Sequence, residues 1–180
     1  MKWFIASDIH GSAYYCDKMA EAFELEEADR MLLLGDLLYH GPRNDLPRDY
    51  DPKRVITRLN GLSDRIFAVR GNCEAEVDQM VLDFPVLADY CLIEVSGRLI
   101  FATHGHVYNT SNPPVSAPGS VLLHGHTHIP AREDHGSYTY LNPGSVSIPK
   151  NGSEHSYMTL ETGVFEWKTL DGAVYDRFVI

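Results

Sequence analysis

Nine histidines stand in this chain, and six of them fall in three short segments, "SDIHG", "THGH" and "LHGHTH". Read with the acids and amides around them, they give seven oxygen and nitrogen donors: Asp8, His10, Asp36, Asn72, His104, His126 and His128. Two carboxylates, four imidazoles and one amide oxygen, with no paired thiolates, form a hard-to-borderline ligand set. Such a set suits Mn²⁺, Fe or Zn²⁺ better than Ca²⁺, and it is unlike the Cys-rich cages of structural zinc. Seven donors are too many for one transition metal. Two metals roughly 3.5–4 Å apart, sharing one bridging carboxylate, would use them all. With both carboxylates ionised and the imidazoles neutral, two divalent ions would leave the centre at about +2, enough to draw in an anionic substrate.

Any one of these fragments is weak by itself. A lone Asp-x-His or Gly-Asp is most often a hydrogen-bonded loop, and a lone His near a strand end most often faces solvent. The set is specific because each member ends an apolar run. "KWFIAS" stops at Asp8 and His10, "RMLLLG" at Asp36, "RIFAVRG" at Asn72, "RLIFAT" at His104, and "SVLLHG" at His126 and His128. In open α/β sheets the carboxyl ends of the strands form the crevice where ligands bind. In extended chain, residues i and i+2 point the same way, so Asp8 with His10, and His126 with His128, can each offer two ligands to one centre. Glycines beside these positions permit tight turns and close backbone approach.

The elements that must hold these residues follow from the pattern. Residues 2–7, 30–35 and 65–69 read as buried strands. Residues 13–28 and 52–61 read as helices, the second with Pro52 in its first turn and Gly61 at its stop. A polar, Pro-rich loop follows Asp36. This β-α-β-α-β order with continuous apolar strands predicts a parallel sheet covered on both faces. A hairpin then turns at Ser96-Gly97, and residues 120–125 form another strand. The last third, from "YTYLN" to "AVYDRFVI", alternates and predicts antiparallel strands.

The chain has 180 residues, 44% apolar and 22% charged, which predicts one domain spanning 1–180. A net charge of -10 argues against duplex nucleic acid held on a basic face. No apolar run approaches the roughly 18 residues of a membrane span. Cys16, Cys73 and Cys91 show no paired framework and predict reduced thiols in a cytoplasmic protein.

The motifs D-x-H (8–10), G-D (35–36), G-N (71–72), H (104) and G-H-x-H (125–128) resemble the signature of the calcineurin-like metallophosphoesterases. "GDLLYHGPRN", "VRGNCE", "HGHTHIP" and "NPGSVSIPK" are similar to the small, cap-less bacterial phosphodiesterases of that superfamily. The resemblance runs from residue 2 to about 150. It implies an α/β fold, a four-layer αββα sandwich with two mixed β-sheets flanked by helices. It also implies two divalent metal ions, manganese foremost, with zinc, iron or nickel as alternatives. Carried over by position, Asp8, His10 and His128 would hold one metal, Asn72, His104 and His126 the other, and Asp36 would bridge them. Hydrolysis of a P–O bond by a bridging hydroxide follows, with Asn72, His104 and Cys73 at the chemistry. His40, Arg43 and Asn44, in the loop after Asp36, are candidates for contacting substrate, although a solvated loop is as good an account of each. Arg70 reads equally as a phosphate clamp or a surface ion pair. His106 and His124 read as packing or supporting residues, His135 and His155 as surface residues, and "NPGSVS" as a turn that could wall the site.

The expected partner is a small phosphodiester; short loops offer no cap to enclose a monoester, though a phosphomonoesterase remains the alternative. No membrane or sequence-specific nucleic acid is expected, and a homo-oligomer is compatible with the sequence. A non-catalytic protein-interaction scaffold, the role of the retromer subunit related to this superfamily, should have lost ligands, and here all seven are present. Cys73 stands where most of these enzymes carry a His that helps the leaving group. A free thiol titrates at about 8.5. Beside two metals the thiolate would be favoured, and a thiolate cannot donate a proton. Good leaving groups should therefore be preferred.

Overall fold

The computed structural model describes residues 1–180. Its order begins β1 (Lys2–Ala6), α1 (Ala13–Leu25), β2 (Arg30–Leu33), α2 (Pro52–Asn60), β3 (Ile66–Ala68) and the short α3 (Glu76–Gln79). It continues β4 (Tyr90–Val95), β5 (Arg98–Thr103), β6 (Ser120–His124), β7 (Ala131–Asp134) and β8 (Tyr138–Asn142), and ends with β9 (Ser156–Glu161), β10 (Val164–Thr169) and β11 (Val174–Val179).

The strands build two mixed sheets. One has the order β11-β10-β9-β1-β2-β3, the other β4-β5-β6-β8-β7. β1, β2 and β3 run parallel, and the antiparallel β9 extends their sheet beside β1. Alternate residues of β1 explain its unbroken apolar run. Phe4 and Ala6 pack with Cys16, Met19 and Phe23 of α1 and Val55 and Leu59 of α2. Ile5 faces the other way, into a core between the sheets that includes Ala102, Val121, Leu123 and Trp167. Burying each such large side chain contributes about 1.5–3 kcal/mol. The helices cover the first sheet only, and no helix follows Gln79. On the second sheet, Tyr90 stacks on Phe101 at 4.7 Å, and Tyr108 meets Phe101 edge-on.

Both long helices start as their sequences predict. Ser12 accepts the Tyr15 N–H at the start of α1, and Asp51 accepts the Arg54 N–H at the start of α2. The first helix ends at Leu25, short of the expected residue 28. Glu27 turns to a left-handed φ of 49°, and Glu26 is drawn aside by Lys2 and Lys168. The last third departs from expectation in one strand. β9, β10 and β11 are antiparallel, but β8 runs parallel to β6. The chain reaches that position through β7, an exposed edge strand, antiparallel to β8, whose polar sequence gave no strand signal. Alternation reports which face is buried and carries no information on strand direction.

Candidate metal centre

The loops that leave β1, β2, β3, β5 and β6 converge, and they bring all seven predicted donors together. Asp8, His10 and His128 form one cluster, with His128 Nε2 at 3.3 Å and His10 Nε2 at 3.6 Å from Asp8 Oδ1. Asp36, His104 and His126 form the second. There His104 Nε2 lies 3.1 Å from both Asn72 Oδ1 and His126 Nδ1. Asp36 stands between the clusters, its Oδ2 at 3.5 Å from His104 Nε2 and 3.7 Å from His10 Nε2.

The ligand pairs are not in extended chain. Asp8, His10, Asp36, His126 and His128 all have φ between 49° and 66°. Left-handed backbone costs a side-chain-bearing residue about 1 kcal/mol or more, and persists where the surroundings enforce it. The consequence is that His126 and His128 diverge, one to each cluster, where an extended pair would serve a single centre. Glycine is required beside them, as two positions illustrate. A Cβ on Gly71 would lie 2.2 Å from Asp36 Oδ1, and one on Gly125 would lie 1.9 Å from Ser7 Oγ.

Each carboxylate is held by one oxygen and presents the other. The Cys73 N–H donates to Asp36 Oδ1 at 2.9 Å, leaving Oδ2 facing the imidazoles. The His126 N–H donates to Asp8 Oδ2 at 3.1 Å, while Asp8 Oδ1 is buried with no hydrogen-bond partner. The imidazoles are oriented in the same way. His10, His104 and His128 set Nδ1 against the carbonyls of Tyr39, Leu34 and Ile148 at 2.7–2.8 Å. A carbonyl only accepts, so Nδ1 carries a proton, and in the neutral ring, the form that binds a cation, Nε2 offers a lone pair. The Nε2 atoms of His10 and His128 then face each other at 3.2 Å, two acceptors with nothing between them to donate. Bare lone pairs turned inward beside an orphaned carboxylate oxygen fit divalent cations.

Charge responds accordingly. Burial opposes ionisation of Asp8, yet His10 and His128 hold it well below the usual carboxylate range. Burial opposes charge on His104, but Asp36 and Asp8 outweigh it and lift the ring to about 9. His126 is lowered, by burial first and then by the charge of His104.

Several supporting residues were not among the site residues the sequence pointed to. Glu74 accepts the backbone N–H groups of Gly71, Asp36 and Leu37 at 2.5–2.8 Å and so ties the second and third ligand loops together. Its spacing of three residues from Gly71 was the available hint. Ser145 and Ser147 donate their hydroxyls to the Asp8 carbonyl, so "NPGSVS" braces the first ligand loop. Lys150 lines the crevice above the centre together with Arg43, Asn44 and Cys73.

Other expectations resolve individually. The His40 ring packs edge-on against Tyr39 and Tyr50, outside the crevice lining, and its carbonyl accepts from Asn44 Nδ2. Arg70 pairs with Asp89. His106 sits 5.4 Å from the His104 ring, and His124 stacks on Tyr140 at 4.3 Å. Burial pushes His124 down to about 4. His135 pairs with Glu133 at the surface, whereas His155 is half-buried, stacked on Tyr15. Without cations, burial, then the Asp36 and Glu74 carboxylates, push the Cys73 thiol up.

Two mixed sheets with strand-end loops gathered around such a ligand set define a class. The chain belongs to the calcineurin-like phosphoesterase superfamily, whose family model matches residues 1–163. Among individual relatives it is 45% identical over 164 residues to Phosphodiesterase YfcE of Escherichia coli K12, covering 91% of this chain and 89% of that one. The solved structure of Yfce, a phosphoesterase from E. coli, superposes with a TM-score of 0.96 at 42% identity, covering 100% of both chains. A single mutant of Vps29 from Entamoeba histolytica matches with a TM-score of 0.62 at 20% identity, covering 100% of this chain and 99% of that one, a likeness of fold.

Proposed function

We propose that the protein is a metal-dependent phosphodiesterase of small substrates, working at a dinuclear centre with manganese as the foremost metal and zinc, iron or nickel as alternatives. The observation that carries this is the placement of Asp36 Oδ2 between two clusters of inward-facing imidazoles and carboxylate. Asp8, His10 and His128 would hold one ion, Asn72, His104 and His126 the other, with Asp36 shared. When bound, the ions supply a nucleophile from water at neutral pH and neutralise charge on the phosphoryl oxygens.

The chain's own groups do the rest. The Nδ1 bonds of His10, His104 and His128 fix their rings before substrate arrives, so little reorganisation remains. Arg43 and Lys150 on the crevice wall suit an anionic ester, Arg43 through bidentate contact. Cys73 Sγ, which accepts from Asn72 Nδ2 at 3.3 Å, lines the same crevice where a leaving group departs. The three free thiols are in keeping with a cytoplasmic setting. No helix is long and apolar enough to cross a membrane.

The test is turnover of bis-para-nitrophenyl phosphate beside the mono ester, with Mn²⁺ and then other divalent ions. Diester hydrolysis exceeding monoester is the expected result. No hydrolysis of either with any ion would overturn the enzyme reading, and monoester preference would overturn the diester assignment.

A further inference from the structure

Two clefts meet at His126 and Thr127, which line both. One is the crevice of Arg43 and Lys150, about 490 Å³. The other, about 440 Å³, has walls from the loop after β5 and from β7 and β8. Both volumes fall within the range of small-molecule sites. Their chemistry differs. The second cleft has no Lys or Arg on its walls; its charged group is Glu133, which pairs with His135 at 3.1 Å.

The polar groups of this second cleft are weighted toward acceptors. His124 lines it with Nδ1 set at 3.0 Å from the Gly125 carbonyl. That carbonyl only accepts, so in the neutral ring Nε2 is an acceptor, and it is buried with no partner in the protein. The Glu133 carboxylate accepts as well. Thr110 and Ser111 contribute hydroxyls, which act in either sense. An anionic group entering here would meet acceptors and a negative charge. A group bearing hydroxyls can donate to His124 Nε2 and the Glu133 carboxylate and accept from the hydroxyls of Thr110, Ser111, Thr127 and Tyr140.

We infer that this cleft seats the second, non-reacting arm of the diester, and that this arm is a neutral hydroxyl-bearing group of the glyceryl or sugar kind. The inference rests on the phosphodiesterase reading above and deepens it, since a monoester would leave this cleft empty.

The experiment uses the Mn²⁺-loaded protein and two diesters with one leaving group, glyceryl and methyl para-nitrophenyl phosphate, with bis-para-nitrophenyl phosphate as reference. Wild type should favour the glyceryl ester in kcat/KM by about tenfold, mostly through KM. The exposed-loop variant Thr110→Val/Ser111→Ala should bring that ratio toward one. Glu133→Lys should shift preference from the glyceryl to a carboxymethyl ester. A wild-type ratio near one, or a ratio unmoved by both variants, would overturn the inference while the reference diester is still cleaved. Loss of turnover on the reference diester itself would instead sink the phosphodiesterase reading.

Discussion

The carboxylate of Glu74 accepts the backbone N–H of Asp36 at 2.8 Å, so the residue that stands between the two clusters of candidate ligands is held from the loop that follows the neighbouring strand β3. The same carboxylate holds Leu37 and Gly71. Glu74→Ala would leave three part-buried N–H groups without a partner. Stability should fall by about 3 kcal/mol or more, and Mn²⁺ affinity with it. Glu74→Gln keeps one acceptor oxygen, enough for the Asp36 and Gly71 N–H groups, but sets an NH2 against the Leu37 N–H, and should recover only part of both. Chemical denaturation and metal titration calorimetry check this; an Ala variant with wild-type metal affinity would refute the bracing role.

Asp36→Ala should eliminate binding of both ions, because Oδ2 faces both clusters. Turnover should drop by roughly 10³-fold, about 4 kcal/mol of transition-state stabilisation. Calorimetry and metal analysis of the purified variant decide the point. Two ions retained would mean that Asp36 is not shared.

Cys73→His should raise turnover of alkyl-type, poor leaving groups by about 10²-fold, the usual worth of a positioned proton donor. Para-nitrophenyl esters, which leave without help, should gain far less. Rates across a series of leaving-group pKa values give the answer; an equal change for all of them, or a loss, would count against this role.

The metal-free protein should lose stability as pH rises above 6.5. Burial, then Asp36, lift Glu74 from 4.5 to about 7, and Asp36 and Asp8, against burial, lift His104 from 6.5 to about 9. Both groups bind protons more tightly folded than unfolded, so their stabilisation is present below the unfolded value and lost as pH climbs through the folded one. Burial lowers His124 from 6.5 to about 4, which adds stability over that lower interval and offsets Glu74 there. With chelator, the unfolding midpoint should therefore fall between pH 6.5 and 9, the window His104 sets. With Mn²⁺ present the trend should reverse in the same window, because the ions displace protons from their ligands. Parallel slopes under the two conditions would refute the coupling.

The sequence made the candidate ligands legible because most of them follow directly on an apolar run whose end is also the end of a buried strand. Asp8, Asp36, Asn72, His104 and His126 could be read that way without structure. Three things could not. Glu74 looks like any surface acid until the three N–H groups around it are placed. Lys150 reaches the crevice through a loop whose path no periodicity encodes. The direction of β8 depends on β7, which is polar, exposed and four residues long. The left-handed turns were also hidden, since Asp and His have no turn signature as strong as that of glycine.

Those turns bear on how this protein can change. Five candidate ligands sit in backbone that their side chains resist, and each holds about 1 kcal/mol or more of stress at the site proposed to bind cations. A lineage that no longer needed catalysis would find its stabilising substitutions at these positions, with glycine or asparagine the cheapest replacements. Activity and robustness thus compete at single residues, and a drift toward a sturdier, inert sandwich is downhill from this sequence.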